Sequence, residues 1–107
     1  MIEVYFQDTG APPIEQSELL ARRSEYRIQS VPLLRLTPRA TRGGGFGDVE
    51  KRPNAWTIWV MTDGRWRRVD SARGNPREWT SLDRAHAWLL EMGFDVFAVD
   101  AGLPDHG

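Results

Sequence analysis

The five tryptophans of this chain, Trp56, Trp59, Trp66, Trp79 and Trp88, all lie between positions 56 and 88. Tryptophan is the largest apolar side chain, and its indole N–H needs a partner when buried. Five of them in so short a span must build a dense core or line a recognition surface. The local pattern favours a compact module over residues 56–100. Residues 56–62, WTIWVMT, are β-branched and aromatic. Trp56, Ile58 and Val60 fall on one face of that strand, Trp59 and Met61 on the other, so it is expected to be covered on both sides. Asp63-Gly64 is a two-residue hairpin signal, because a type I′ turn needs positive φ at both positions. Residues 65–70 return as the partner strand, and 71–78 form a polar loop.

A helix is expected from Leu82 to Met92. Thr80 stands at its N-cap with Asp83 in capping-box position, and Ser81 is the alternative cap. Leu82, Ala85, Leu89 and Met92 share a face with Trp88 on its flank. Gly93 ends the helix, Phe94 packs back on its last turn, and residues 94–99 form a final strand.

The first half carries weaker signals. Residues 2–6, IEVYF, read as a strand. Gly10, Pro12 and Pro13 break the chain, and a helix runs from Pro13 to about Ser24. Residues 26–36 read as extended, with Pro32 marking an edge strand or a break between two pieces. An edge there offers a route to a homodimer as well as a monomer. Residues 37–55 are rich in Gly, Pro and charge and read as a long mobile loop, a length usually reserved for function or disorder. The tail from Asp100 is expected to fray.

The 107 residues fit one domain, 1–107. The fold class expected is a small α+β sandwich in the order β-α-β-β-β-α-β. It carries an antiparallel or mixed sheet of four or five strands with two helices on one face. A ferredoxin-like arrangement with an extra strand is one candidate.

No cysteine is present, which excludes disulfides and thiolate metal sites and fits a reducing compartment. The longest apolar runs fall far short of the roughly 20 residues needed to span a bilayer. The N-terminus lacks the basic start and apolar core of a signal peptide. The expectation is a cytoplasmic protein with no membrane partner.

The net charge of −1 conceals a strong segregation. Residues 1–21 carry Glu3, Asp8, Glu15 and Glu18 and no base, a net of −4. Residues 22–77 carry thirteen bases against five acids, a net of +8, and every base but Lys51 is arginine. Residues 78–107 carry six acids against Arg84, a net of −5. Arginine suits bidentate contact with carboxylate or phosphate and stacks on aromatic rings. The neutral explanation is that the acidic ends fold back on the basic centre.

The strongest binding candidate is the strand Arg65, Trp66, Arg67, Arg68, followed by Arg73 and Arg77 in the next loop. Three arginines on a solvent-facing strand would meet an acidic partner, or phosphate with Trp66 or Trp79 stacking on a base. Against this, Trp66 as a core residue is the commoner use of a tryptophan in a small domain. Phe46, at the tip of the Gly-rich run 43–48, is a second candidate, since an apolar side chain on a mobile loop inserts readily into a partner. That run lacks the strand, the Lys-Ser/Thr ending and the helix of a phosphate-binding loop. His86 has no ligand partner one helical turn away, and His106 lies in the tail, so no metal or cofactor is expected. The serines have no nucleophile-elbow setting, and Asp63, Asp70 and Asp83 have local roles in turn, ion pair and cap. No nucleophile, base and orienting group come together, and the expectation is a non-enzymatic protein.

Residues 59–94 resemble small proteins of proteobacterial plasmids and integrative conjugative elements. The shared pattern is a tryptophan strand leading to a Gly-Arg-Trp hairpin. An Arg-Glu-Trp-x-Ser-Leu-Asp helix start and an Ala-rich helix ending in Gly-Phe follow. The resemblance rests on turn, cap and core positions and carries no functional residues across. It implies a mobile-element setting, where such proteins serve plasmid maintenance or transfer, or inhibit host defence in the manner of anti-CRISPR proteins. The expectation is a binding protein that engages a protein partner as inhibitor or regulator. The alternative is a nucleic-acid-binding accessory protein that uses the Arg-rich centre.

Overall fold

The computed structural model describes residues 6–39 and 53–101. The elements follow in the order β1 (Ile14–Glu15), α1 (Gln16–Ser24), β2 (Leu33–Pro38), β3 (Asn54–Thr62), β4 (Arg65–Asp70), α2 (Leu82–Glu91) and β5 (Ala98–Asp100). This is a small α+β domain with one mixed five-stranded sheet, in spatial order β1-β4-β3-β2-β5. The consecutive strands β2, β3 and β4 form an antiparallel meander at the centre. The two helix-connected strands β1 and β5 flank it, each parallel to its neighbour. Two strands therefore separate β1 from β2, and the ferredoxin-like candidate does not describe this sheet.

β3 organises the packing, because its alternation puts large apolar groups on both faces. Ile58 and Val60 join Ile14, Leu19, Leu34, Val69, Ala85, Trp88, Leu89 and Met92 in a core beneath both helices. Trp56 and Trp79 pack against that core, and their backbones pair with each other where β3 extends beyond its ladder with β4. On the opposite face Trp59 and Trp66 meet Leu33, with Phe6, Met61 and Ala98 against them. The five tryptophans thus divide three and two between the faces of the sheet.

The turn signals act as their chemistry requires. Asp63 and Gly64 adopt φ of 58° and 76° and close the β3–β4 hairpin. At the end of α2, Gly93 sits at φ 90°. Its N–H donates to the Leu90 carbonyl at 3.0 Å and that of Phe94 to Leu89 at 2.9 Å, a Schellman motif. The N-cap of α2 is Ser81 rather than Thr80, its hydroxyl accepting from the Arg84 N–H at 3.2 Å.

Several boundaries differ from the sequence reading. Of the expected strand 2–6 only Phe6 is described, and it lies outside the sheet. The first strand is instead the two-residue β1, and α1 starts at Gln16 because Ile14 and Glu15 pair with Val69 and Asp70. β2 begins at Leu33 and lies inside the sheet. Pro32 precedes its ladder and contributes only a carbonyl, which accepts from Ala98. The free edge expected near Pro32 is thus taken by β5. The expected loop 37–55 is shortened at both ends, where Thr37 and Pro38 pair with Ala55 and Asn54. Phe46, the run 43–48 and the tail beyond Ala101 lie outside the described residues.

Trp88 is only 8% exposed, with its ring 5.4 Å from that of Trp79. Trp88→Ala should cost ~3–5 kcal/mol, the range for truncating a buried aromatic. Thermal or denaturant unfolding of that variant measures the loss.

Candidate functional site

The Arg-rich strand β4 has its arginines on two faces, because alternation sends Arg65 and Arg67 one way and Arg68 the other. The solvent-facing row of three expected from the sequence is therefore not formed. Arg67 is 12% exposed and grips Glu18 of α1 through both guanidinium ends, at 2.8 and 3.0 Å. It also donates to the carbonyls of Pro12 and Pro13. Arg65 holds the carbonyl and hydroxyl of Thr9. These contacts fasten residues 9–13 along the flank of β4. Phe6 continues that arm onto the second face, 4.9 Å edge-on to Trp59 and 5.9 Å from Trp66. The guanidinium of Arg35 lies 3.8 Å from the Phe6 ring centroid.

Arg68 forms a two-point pair with Asp70 at 2.8 and 3.2 Å, and this hydrogen bonding raises its pKa further. Arg77 lies 5.5 Å from the Trp88 ring and donates to Gln16. Trp66 is buried in the second face. Arg73 is exposed in the loop after β4. The sequence-derived set thus divides into a clamp of Arg65 and Arg67, a buried ring at Trp66, two half-buried arginines, Arg68 and Arg77, bonded nearby, and the exposed Arg73, while Phe46 lies outside the described residues.

The clamp extends into a chain of charges. Glu18 also meets Arg22 at 3.3 Å, Arg22 meets Asp63 at 2.9 Å, and Arg27 meets Asp63 at 3.1 Å. α1 is thereby tied to β4 and to the hairpin turn. The hydrogen bond from Arg67 holds the Glu18 carboxyl below the ordinary carboxylate value. Partial burial opposes this, and the charges of Arg67 and Arg22 reinforce it.

Next to the end of this chain of charges, where both helices finish, the molecule carries features of another kind. A groove of about 580 Å³ opens between the ends of α1 and α2 and the segments that lead into β2 and β5. Tyr26, Ile28, Val31, Phe94 and Val96 supply its apolar lining. Arg23 crosses its floor, donating to the Gly93 carbonyl at 3.3 Å with its guanidinium 5.9 Å from the Phe94 ring. A Cβ at position 93 would meet that guanidinium, a flexible tip that can move aside, so it is φ that calls for glycine there.

Tyr26 is the most unusual residue of the groove. α1 ends in a second Schellman motif, with Tyr26 donating to the Arg23 carbonyl at 3.0 Å and Arg27 to Arg22 at 2.8 Å. Tyr26 occupies the left-handed position at φ 58°, where glycine is usual. Its side chain is 95% exposed. A tyrosine here costs roughly 1 kcal/mol in backbone strain and returns no packing. Tyr26 lies in the segment 26–36 expected to be extended, but it takes the left-handed C′ position of α1 instead. The available signal was a helix end, Ser24-Glu25-Tyr26-Arg27, without glycine or asparagine.

Among the described residues no group of three His, Asp or Glu side chains is placed to hold a metal ion. No described helix is long and apolar enough to cross a membrane. No protein-family model, curated protein or solved structure matches this chain.

The Glu18 clamp has a pH signature. A carboxyl whose folded pKa is lowered stabilises the fold fully above its unfolded value, near 4.5, and loses that contribution as pH falls through the folded value. Arg67→Ala should cost about 1.5–2 kcal/mol at neutral pH, limited by the partial solvation of Glu18. Glu18→Gln should be less stable than the parent at pH 7, and the gap should close on acidification below pH ~4.5. Urea unfolding of both variants across that range tests the assignment.

Proposed function

We propose that this protein is a non-enzymatic binding module of a bacterial mobile element, acting in the cytoplasm on a protein partner as an inhibitor or regulator, for instance of a host defence system. The observation that carries the reading is the fully exposed Tyr26, held at positive φ beside an apolar groove. Residues kept in sparsely populated backbone conformations cluster at functional sites. Tyrosine is among the residues enriched at protein interfaces, where it supplies large contact area at low conformational cost. The arginines first suggested as contacts are largely engaged in intramolecular bonds, which supports a protein surface over a phosphate-binding one.

The alternative, a nucleic-acid-binding accessory protein, draws on the +8 charge of residues 22–77 and the exposed Arg73. A photo-crosslinking amino acid at position 26, with position 73 as comparison, separates the two in host cells. Protein adducts concentrated at position 26 are expected. Nucleic-acid adducts at position 73, with steeply salt-dependent affinity for nonspecific duplex or single strands, would establish the alternative.

A second measurement joins strain to function. Tyr26→Gly relieves the backbone and should stabilise the fold by up to about 1 kcal/mol, less what glycine adds to unfolded-chain entropy. The same change should weaken partner binding at least tenfold. A melting curve and a titration with the crosslinked partner read the two effects, and unchanged affinity would remove Tyr26 from the docking surface.

A further inference from the structure

Resting on the protein-binding reading above, we propose that the outer edge of β5 is where the partner docks. The partner contributes an extended segment bearing lysine or arginine, which joins the sheet as a sixth strand and ends in the Tyr26 groove. β5 is the last strand of the sheet order, and no described residue pairs with its outer side. The Ala98 N–H is directed inward, onto the Pro32 carbonyl at 2.9 Å. Strand alternation therefore turns the N–H and C=O groups of Phe97 and Val99 outward. An extended peptide bonds to such a row through its main chain and gains selectivity from side-chain sites along the edge.

Those side-chain sites are present. Val96 and Val99 are 53% and 47% exposed at the strand and its approach. The His86 ring of α2 stacks on Phe97 at 4.9 Å, and Leu90, one turn further along the helix, is half exposed. Val96 also lines the groove, and Pro32, which accepts from β5, lines it too, so edge and groove form one continuous surface. Residues 94–100 carry neither lysine nor proline, two residues that commonly blunt sheet edges, although β5 is short and ends in Asp100.

Charge selects the occupant. Two exposed carboxylates stand on the approach to the edge, Glu91 at the end of α2 and Asp95 in the groove wall. Both helices direct their C-terminal ends, the negative poles of their dipoles, toward the same place. The cation at the floor, Arg23, is bonded to the Gly93 carbonyl. A strand alternating basic and apolar residues meets both conditions, its apolar side chains leaning on Val99 and Leu90 and its basic ones facing Asp95.

The test selects a display library of random ten-residue peptides against the full chain, then measures the recovered peptides by fluorescence anisotropy. Enrichment of lysine or arginine alternating with apolar residues is expected. N-methylation of alternate peptide amides should weaken binding at least tenfold. Val99→Pro, which removes an outward N–H and leaves the β2 ladder intact, should do the same, and Val99→Thr should bind near parental affinity. Should Val99→Pro misfold, the N-methylated peptides decide. Recovery of acidic or helical sequences, indifference to both backbone changes, or no recovered peptide overturns the proposal. A concentration-dependent dimer abolished by Val99→Pro also overturns it, by assigning the edge to a second copy. Protein crosslinks at position 26 that persist in Val99→Pro overturn strand addition while leaving the protein-binding reading intact. Absence of such crosslinks in the parent removes the reading itself.

Discussion

A strand that is apolar on both faces must be covered twice, and β3 imposes that requirement on the whole molecule. One cover is ordinary: α1 and α2 lie over Ile58 and Val60 and bury Leu19, Ala85, Trp88 and Leu89 against them. The other face holds Trp59 and Trp66 and receives no helix among the described residues. Phe6 and the stacked guanidinium of Arg35 close over it instead. The Trp59 indole N–H is satisfied within the same strand, by the Thr57 hydroxyl at 3.0 Å, so the ring needs only apolar cover. An aromatic carried on an irregular arm supplies that cover only if the arm is anchored. The anchors are Arg65 and Arg67, which bond to its carbonyls along the flank of β4 where β1 does not reach.

This arrangement explains the charge segregation. The acidic N-terminal segment meets the basic centre at Glu18, held between Arg67 and Arg22, while Asp63 lies between Arg22 and Arg27 within the centre itself. Each exposed pair in such a chain contributes little alone. Arg67 differs because it is nearly buried and also satisfies two backbone carbonyls, so its loss would leave several polar groups without partners at once. Arginine suits the position because its planar fork makes both kinds of bond from one side chain, which a lysine ammonium does not.

The parts of the fold legible in sequence were those set by short-range chemistry. Asp63-Gly64, Gly93-Phe94 and the alternation of residues 56–62 each carry their structural instruction within a few positions, and the hairpin–helix–strand half follows from them. The parts that were not legible depend on distant partners. Ile14 and Glu15 form a strand only because Val69 and Asp70 stand beside them, and two residues have no periodicity to detect. Arg67 reads as a surface cation until Glu18 and the Pro12 and Pro13 carbonyls are brought to it from across the chain. Ser81 and Thr80 are chemically equal caps, and the choice between them is made by where Trp79 is fixed to Trp56. The groove was hidden for the same reason, since its walls come from two stretches, 23–32 and 93–96, that are far apart in the chain.

The two ends of the sheet therefore stand in different energetic positions. Along β4, its flanking arm and α1, charged and aromatic side chains are bonded within the molecule, and altering them would mainly disturb folding. Where the helices end, Tyr26 bears strain without packing, and Val96 and Val99 expose apolar surface without cover. Neither feature stabilises the isolated chain, and both would be improved by simple substitutions, glycine at position 26 and a charged residue at 99. Stability-improving changes left unmade at adjacent positions are what selection for contact, rather than for folding, produces. The contrast within one small domain is what supports the proposed recognition at the helix C-terminal end, while most arginines of the Arg-rich strand are bonded within the molecule.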